Sequence, residues 1–143
     1  MGPIVCATRG SEASRRTQER AITLAQERGA SLVFLFVVDT ALIRPANKDI
    51  ADVVADELER LGRRLLCIAQ ARAREHGVEA EMAIRHGDVQ QGVESFLREV
   101  NADTLLIGAP RSGAEHPAFD PAALDEFAER IRARIGVEVI VIE

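Results

Sequence analysis

The sequence predicts one α/β domain, spanning residues 1–143, in which a five-stranded parallel sheet is covered by helices on both faces. Short apolar runs alternate with amphipathic stretches along the whole chain, and this alternation is typical of parallel strands joined by helical crossovers. The run Leu32–Val38 is apolar at all seven positions, which indicates a strand buried on both faces. The length of 143 residues fits a single domain, since domains usually have about 100–200 residues.

Composition and charge exclude several classes of function. Apolar residues make up 47% and charged residues 29% of the chain, so it can bury a core and stay in solution. The formal net charge of −5 gives no general attraction to nucleic acid or to anionic lipid. No apolar run approaches the roughly 20 residues of a membrane helix, and the first residues do not resemble a signal peptide. We therefore expect a cytoplasmic protein that neither enters membranes nor binds nucleic acid.

The first half of the chain predicts the order β1-α1-β2-α2. Ile4–Ala7 forms β1, Ser11 is a suitable N-cap for α1, and Gly29 ends that helix. Leu32–Val38 forms β2, and α2 extends over roughly Asp49–Glu75. The predicted inner faces follow from helical spacing: Ala13, Thr17, Ala21, Leu24 and Ala25 on α1, and Ile50, Val54, Leu58, Leu61, Leu65, Ile68 and Ala69 on α2.

Charged residues on α2 are spaced for ion pairs within the helix. Asp56 and Arg60 are four residues apart, as are Glu59 and Arg63, and such pairs contribute only a few tenths of a kcal/mol each. Arg60, Arg63 and Arg64 are therefore interpreted as a solvated face and not as a surface for nucleic acid.

The segment after α2 predicts an edge strand, β3, over Val78–Ile84. Glu79 and Glu81 interrupt its apolar residues, so one face is expected to contact water and the strand to lie near a sheet edge. Asp88 is the predicted N-cap of α3, which ends at Asn101. The predicted inner face of α3 comprises Val93, Phe96, Leu97 and Val100.

The last part of the chain predicts β4 over Thr104–Ile107, α4 over about Ala122–Arg134 and β5 over Val137–Ile142. The inner face of α4 comprises Leu124, Phe127, Ala128 and Ile131. The final strand is apolar apart from Glu138. At a sheet edge its unpaired backbone groups would bind another chain, so we expect a homodimer through Val137–Ile142.

The cysteines and histidines do not indicate a metal or redox site. Cys6 and Cys67 lie in apolar surroundings without CxxC spacing, so both are predicted to be buried thiols. The three histidines, His76, His86 and His116, lack metal-binding spacing.

The candidate site is predicted at the carboxyl ends of the strands, where open parallel sheets bind ligands. Four loops contribute to this edge: 8–12, 38–44, 85–88 and 108–121. The last loop contains Gly108, Arg111, Ser112 and Gly113. A glycine-bearing loop that leads into a helix N-terminus suits a phosphate, because free amides and the helix dipole face the anion. An ordinary turn explains the same residues equally well.

Several catalytic motifs are absent from the sequence. The chain has one lysine, Lys48, and no P-loop, no dinucleotide-binding glycine pattern and no G-x-S-x-G. Ser112, His116 and Asp120 could supply a triad, yet three residues on one loop rarely hold triad geometry. A small hydrolase that uses His116 is the weakest of the hypotheses.

Six segments, in this order and at these spacings, resemble the universal stress protein family over nearly the full length. They are Ile4–Glu12, Val37–Asp39, Gly87–Asp88, Asp103–Gly108, Ala128–Ile131 and Val139–Val141. The resemblance implies a doubly wound, Rossmann-like sheet of order 3-2-1-4-5 and a homodimer through β5. It also implies one of two functions: ATP binding between β1 and β4, or action through protein contacts in stress physiology.

The nucleotide-binding pattern of that family is G-x-x-G, nine residues, then G-[ST], and this chain departs from it. Gly108 matches the first glycine, but Arg111 stands at the second, and Pro121 and Ala122 stand where the G-[ST] pair belongs. If the alignment with the family is anchored on the predicted α4 instead, the G-[ST] pair falls on Asp125 and Glu126. Both alignments lose the glycine that approaches phosphate and the hydroxyl that holds it, while nearby carboxylates repel a triphosphate.

Three further residues, together with Arg111, bear on the candidate site. Arg9 stands where the family usually has an aspartate that contacts the nucleotide, and Arg9 and Arg111 could together bind a small anion or carboxylate. Alternatively, both arginines pair with acidic residues of their own loop. Thr8 and Val38 match positions that flank the base in the family, yet small and aliphatic residues are equally expected at any buried strand end.

The leading hypothesis is a dimeric, non-enzymatic regulatory or interaction module with a degenerate ATP motif, which needs no cofactor and binds a protein partner or a small anion. The alternative is an ATP- or adenine-nucleotide-binding member of the family that uses a modified phosphate loop and hydrolyses ATP slowly at most.

Overall fold

A computed structural model describes residues 2–8, 12–39, 48–108 and 121–142 of the chain. Strands and helices alternate strictly along it. The elements are β1 (Ile4–Ala7), α1 (Glu12–Arg28), β2 (Leu32–Val38), α2 (Lys48–Glu75), β3 (Ala80–His86), α3 (Val89–Glu99), β4 (Thr104–Gly108), α4 (Pro121–Ile135) and β5 (Glu138–Ile142).

The five strands form one parallel sheet in the order β3-β2-β1-β4-β5. This confirms both the doubly wound topology and the prediction that β3 and β5 are edge strands. In the register of the central strand, Ala7 pairs with Leu35 of β2 on one side and with Ile107 of β4 on the other. The three central strands therefore end close together at the carboxyl edge of the sheet.

Two apolar cores, one on each face, hold the helices to the sheet. One core joins α1 and α2 to the sheet through buried residues that include Ile22, Phe34 and Leu66. The other joins α3 and α4 through buried residues that include Leu97, Phe127 and Ile131. All four residues predicted for the inner face of α4, Leu124, Phe127, Ala128 and Ile131, are buried.

The predicted inner face of α2 is wrong in part. Leu66, Ala69 and Ala73 are the buried side chains of this helix, whereas Ile50, Leu61 and Ile68, which were expected to face the sheet, are exposed. Val54, Leu58 and Leu65 are half-buried beside them. The helix is rotated because Gly62 allows the Phe36 ring to approach its backbone: a Cβ at position 62 would lie 2.9 Å from Phe36 Cγ.

The same rotation corrects the prediction for Cys67. This residue is exposed, and only Cys6 is the buried thiol that the sequence predicts; both cysteines are free. Within α2, Arg63 pairs with Glu59 at 3.5 Å as expected, whereas Arg60 pairs with Glu57, three residues before it, at 3.3 Å instead of with Asp56.

β3 begins two residues later than predicted, because the residues before it form hydrogen bonds with the last turn of α2. Gly77 has a positive φ of 74°, and the amides of Gly77 and Val78 bond to the carbonyls of Arg74 and Ala73 at 3.0 and 2.9 Å. These bonds satisfy the last carbonyls of α2, so sheet pairing starts at Ala80. α3 likewise ends at Glu99, two residues before Asn101, whose φ is 52°.

Candidate functional site

The sheet order creates a topological switch between β1 and β4. From β1 the chain leaves into α1 on one face of the sheet, and from β4 it leads to α4 on the other face. Ala7 pairs with Ile107, so Thr8 and Gly108 are the next residues along two neighbouring strands. A crevice at this position is where doubly wound proteins bind ligands.

Thr8 is buried at this switch and is tied to both helices of its face. Its Oγ1 accepts a hydrogen bond from Gln18 Nε2 at 2.8 Å, and Gln18 Oε1 accepts one from Arg72 Nη1 at 2.8 Å. The Thr8 amide donates to the Leu35 carbonyl at 2.9 Å. The hydroxyl at the end of β1 is thus held by α1 and, through Gln18, by α2.

Gln18 and Arg72 are not among the site residues predicted from the sequence. The one local signal for Gln18 is its position beside Thr17 and Ala21 on the inner face of α1, where a long polar side chain needs a buried partner. The identity of the partners is not readable from the sequence, because Arg72 is 54 positions away along the chain.

Val38, the other predicted base-flanking residue, is buried at the end of β2. Its carbonyl accepts a hydrogen bond from the Gly87 amide at 2.9 Å, which holds the turn after β3 against β2. Gly87 has a positive φ of 124°, a conformation that residues with a side chain rarely adopt.

Asp88 occupies the N-terminus of α3, the helix that begins at the carboxyl end of β3. Its Oδ2 accepts a hydrogen bond from the Gln91 amide at 2.9 Å, which confirms the predicted N-cap. A carboxylate at this position satisfies an end amide and interacts favourably with the helix dipole. The anion at the start of α3 is therefore a side chain of the protein itself, and this helix end does not offer a phosphate site.

Gly108 is buried as the last residue of β4, where it pairs with Ile142 of β5. Arg9, Arg111, Ser112 and Gly113 lie outside the described residues, as do Ser11, His116 and Asp120. Of the predicted site residues, the structure brings Thr8, Val38 and Gly108 to the same edge of the sheet.

Cys6 lies two residues before Thr8, but its thiol cannot act as a nucleophile at this edge of the sheet. The thiol is completely buried, and burial raises its pKa far above the usual range. Since the thiolate is the reactive form, this side chain stays protonated and inert.

The described part of the chain contains no cluster of histidine, cysteine and acidic side chains that could hold a metal ion. His86 lies at the end of β3, and its Nε2 is 3.0 Å from Glu59 Oε1 on α2. Across residues 2–8, 12–39, 48–108 and 121–142, none of the helices is long and apolar enough to cross a membrane.

A second concave surface lies between α3 and α4, away from the switch. It encloses about 510 Å³ and is lined mainly by polar side chains, among them Gln90, Glu94, Arg130 and Arg134. Arg130 donates to Gln90 Oε1 at 2.8 Å, and both arginines lie within 4 Å of Glu94. These charges are balanced within the groove, so it attracts no particular ion.

The family model described as the universal stress protein family matches residues 1–143 of the chain. The chain belongs to this family. No curated protein matches it in sequence. The universal stress protein assignment agrees with the strand order and with the switch between β1 and β4.

Solved structures of other universal stress proteins share the fold. The protein from Burkholderia pseudomallei is 26% identical with a TM-score of 0.72, over 97% of this chain and 94% of that one. UspA from Lactobacillus plantarum is 18% identical with a TM-score of 0.81, over 99% and 97%. The Archaeoglobus fulgidus protein in complex with dAMP is 21% identical with a TM-score of 0.64, over 100% and 98%.

Proposed function

We propose that this universal stress protein is a dimeric regulatory or interaction module, without enzymatic activity, whose ATP motif is degenerate. The observation that carries the proposal is the start of α4. The helix begins at Pro121, at the position where the motif requires a glycine. Proline has no amide hydrogen, so the first residue of the helix cannot donate to a phosphate, and Ala122 lacks the hydroxyl that follows in the motif.

The charges near this helix end also disfavour a triphosphate. Asp125 and Glu126 are exposed in the first half of α4, and Glu115 and Asp120 precede the helix in the sequence. Negative side chains near a helix N-terminus compete with a bound anion for the same dipole. The segment is therefore poorly suited to the phosphates of ATP.

The test is calorimetric titration of the folded protein with ATP and Mg²⁺. We expect no saturable binding below about 1 mM, a limit of roughly −4 kcal/mol. A micromolar dissociation constant for the unmodified protein would contradict the proposal.

The chain offers a matched gain-of-function control. The three substitutions Arg111→Gly, Pro121→Gly and Ala122→Ser restore G-x-x-G, nine residues, G-S at the required spacing from Gly108. If these positions are what prevents binding, the triple variant should bind ATP in the micromolar range while the original protein does not. Equal heats of ATP binding for the triple variant and the original protein would show that other residues determine nucleotide binding.

The alternative is an adenine-nucleotide-binding protein in which Arg9 or Arg111 contacts phosphate. Two solved neighbours favour it: a universal stress protein in complex with cAMP, 24% identical with a TM-score of 0.70, and the Archaeoglobus fulgidus complex with dAMP. A nucleotide with one phosphate needs fewer donors than ATP, and a guanidinium binds one phosphate group well.

This alternative is tested with cAMP and AMP and with a charge-matched pair of variants. Arg111→Asp should abolish binding, whereas Arg74→Asp, at the exposed far end of α2, makes the same charge change away from the carboxyl edge. Native mass spectrometry of the purified protein reports any co-purified nucleotide. Unchanged affinity in Arg111→Asp would exclude a role for this arginine.

The homodimer is proposed to form through β5. This strand is an edge of the sheet, and its outer residues Ile140, Val141 and Ile142 are only half-buried in the single chain. An apolar edge with unpaired backbone groups binds readily to a second edge, which supports a two-fold pairing of β5 with itself.

A further inference from the structure

The outward face of α2 carries large apolar side chains that nothing in the described chain covers. Ile50, Val53, Leu61 and Ile68 are 56%, 61%, 50% and 49% exposed. Ile50, Leu61 and Ile68 are separated by 11 and 7 residues, which are about three and two helical turns. These three residues therefore form one line along the helix. Val53 lies about 80° to one side of Leu61, and we call the four exposed residues together the α2 stripe: Ile50, Val53, Leu61 and Ile68.

The charges of α2 divide into two halves of opposite sign. Residues 48–59 contain five acidic residues and one lysine, and residues 60–75 contain five arginines and one acidic residue. At 100° per residue, several of these charges share one flank of the α2 stripe. They are acidic in the first half, Asp49 and Asp56, and basic in the second, Arg60, Arg64 and Arg74.

We propose that the α2 stripe is a docking surface for a second copy of this chain, with the two α2 helices antiparallel and Leu61 near the two-fold axis. In an antiparallel pair each flank faces the same flank of the other helix, so the acidic half of one copy lies beside the basic half of the other. A parallel pair would instead place the acidic half of one helix alongside the acidic half of the other, and the two basic halves together, which is repulsive.

A two-fold axis at Leu61 also brings apolar residues of the two copies opposite each other. Val54 and Ile68 lie seven residues before and after Leu61, so each would contact the other across the axis. The same symmetry places Asp49 within one residue of Arg74 of the other copy, and Asp56 within two residues of Arg64. A single patch that pairs with itself in this way is what a two-fold dimer requires.

The ion pairs already present within α2 do not oppose this arrangement. Arg60 and Glu57 are 3.3 Å apart, with side chains 74% and 66% exposed, and pairs this exposed contribute about 0–1 kcal/mol. They can exchange partners at little cost when a second helix arrives. The α2 stripe is also separate from the proposed β5 interface. The helix packs on β2 and β3, which lie toward the edge of the sheet opposite β5.

Disulfide trapping tests the orientation in the full chain, in a Cys67→Ala background. Leu61→Cys places one thiol near the proposed axis, whereas two Ile68→Cys thiols would be about 21 Å apart along the helices in the antiparallel pair, beyond the reach of a disulfide. Both positions are equally exposed. We expect a cross-linked dimer from Leu61→Cys only. Equal cross-linking at both positions, or at neither, would overturn the proposal.

Sedimentation gives a second readout that needs no new thiol. Leu61→Asp puts two like charges at the axis, so we expect the mass of the assembly to fall, to that of the monomer if β5 does not pair and to that of the β5 dimer if it does. Ala133→Asp, at an exposed position of α4, is the matched control and should leave the mass unchanged. An unchanged mass in Leu61→Asp would mean that a different partner covers the stripe, and would overturn pairing between copies.

Discussion

Gln18 on α1 donates a hydrogen bond from Nε2 to Oγ1 of Thr8 at 2.8 Å, and both side chains are buried. The bond fixes the end of β1 at the topological switch, and the Gln18 carbonyl oxygen in turn accepts from Arg72. Removal of the amide would leave a buried hydroxyl and an arginine donor without this partner, which costs more than the bond itself contributes.

We expect Gln18→Ala to lower the free energy of unfolding by about 1–3 kcal/mol, the usual cost of an unsatisfied buried group. Urea denaturation followed by circular dichroism measures it. Gln91→Ala, at an exposed position of α3, is the control and should change the stability by less than about 0.5 kcal/mol. Equal losses in the two variants would contradict a structural role for the Gln18 bond.

The two cysteines should differ sharply in reactivity. Cys67 is exposed, whereas Cys6 is buried with a raised pKa, so the native protein should react with one equivalent of a thiol reagent at pH 8 and the unfolded protein with two. Native Cys67→Ala should not react. Rapid labelling of that variant would show that Cys6 is accessible.

The raised pKa of Cys6 also predicts a pH dependence of stability. The thiol stays protonated in the folded state but ionises near its ordinary pKa of about 8.5 when the chain unfolds. Unfolding therefore releases a proton, so the contribution of this group is fully present below about pH 8.5 and is lost as the pH rises above that value. Denaturation at pH 7 and pH 10 should show a smaller loss in Cys6→Ala than in the original protein.

Asp88→Ala should destabilise the fold by about 0.5–2 kcal/mol, because the Gln91 amide loses its acceptor at the start of α3. Asp88→Asn keeps an oxygen acceptor and should lose only a fraction of this. Thermal denaturation of the two variants separates the hydrogen bond from the charge. Equal destabilisation by both would assign the effect to the helix dipole instead.

Gly62→Ala tests the contact that sets the rotation of α2. Alanine is favoured over glycine in helices by about 1 kcal/mol, yet here its Cβ would overlap the Phe36 ring, and overpacking costs about 1–3 kcal/mol. We expect a net loss of stability, reversed when Phe36→Leu is added. A stabilised single variant would show that the helix has room to move.

Lysine substitutions on the two edge strands of the sheet, β5 and β3, test the proposed β5 dimer. Val141→Lys should convert the dimer to a smaller species in sedimentation, because a charge on the pairing edge opposes strand-to-strand contact. Met82→Lys introduces the same side chain on β3, the opposite edge, where Met82 is 42% exposed, and should leave β5 pairing intact. Loss of mass in Met82→Lys alone would place an interface at β3.

Most of the fold follows from local patterns in the sequence. β1 and β2 begin and end where their apolar runs do, because a strand buried on both faces favours apolar side chains at every position. The inner face of α4 and the Asp88 cap also follow from spacing and residue type alone. The position of the candidate site follows too, since alternating strands and helices place the loop ends at the carboxyl edge of the sheet.

The order of the elements, the edge strands and the departures from the nucleotide motif at Arg111, Pro121 and Ala122 therefore follow from the order of the residues. The rotation of α2 and the buried bond between Gln18 and Thr8 depend on contacts between distant parts of the chain. The apolar residues of α2 extend around more than half the helix, so periodicity allows several orientations. Side-chain volume chooses between them, because Gly62 fits against Phe36 while Leu61 and Ile68 remain outside.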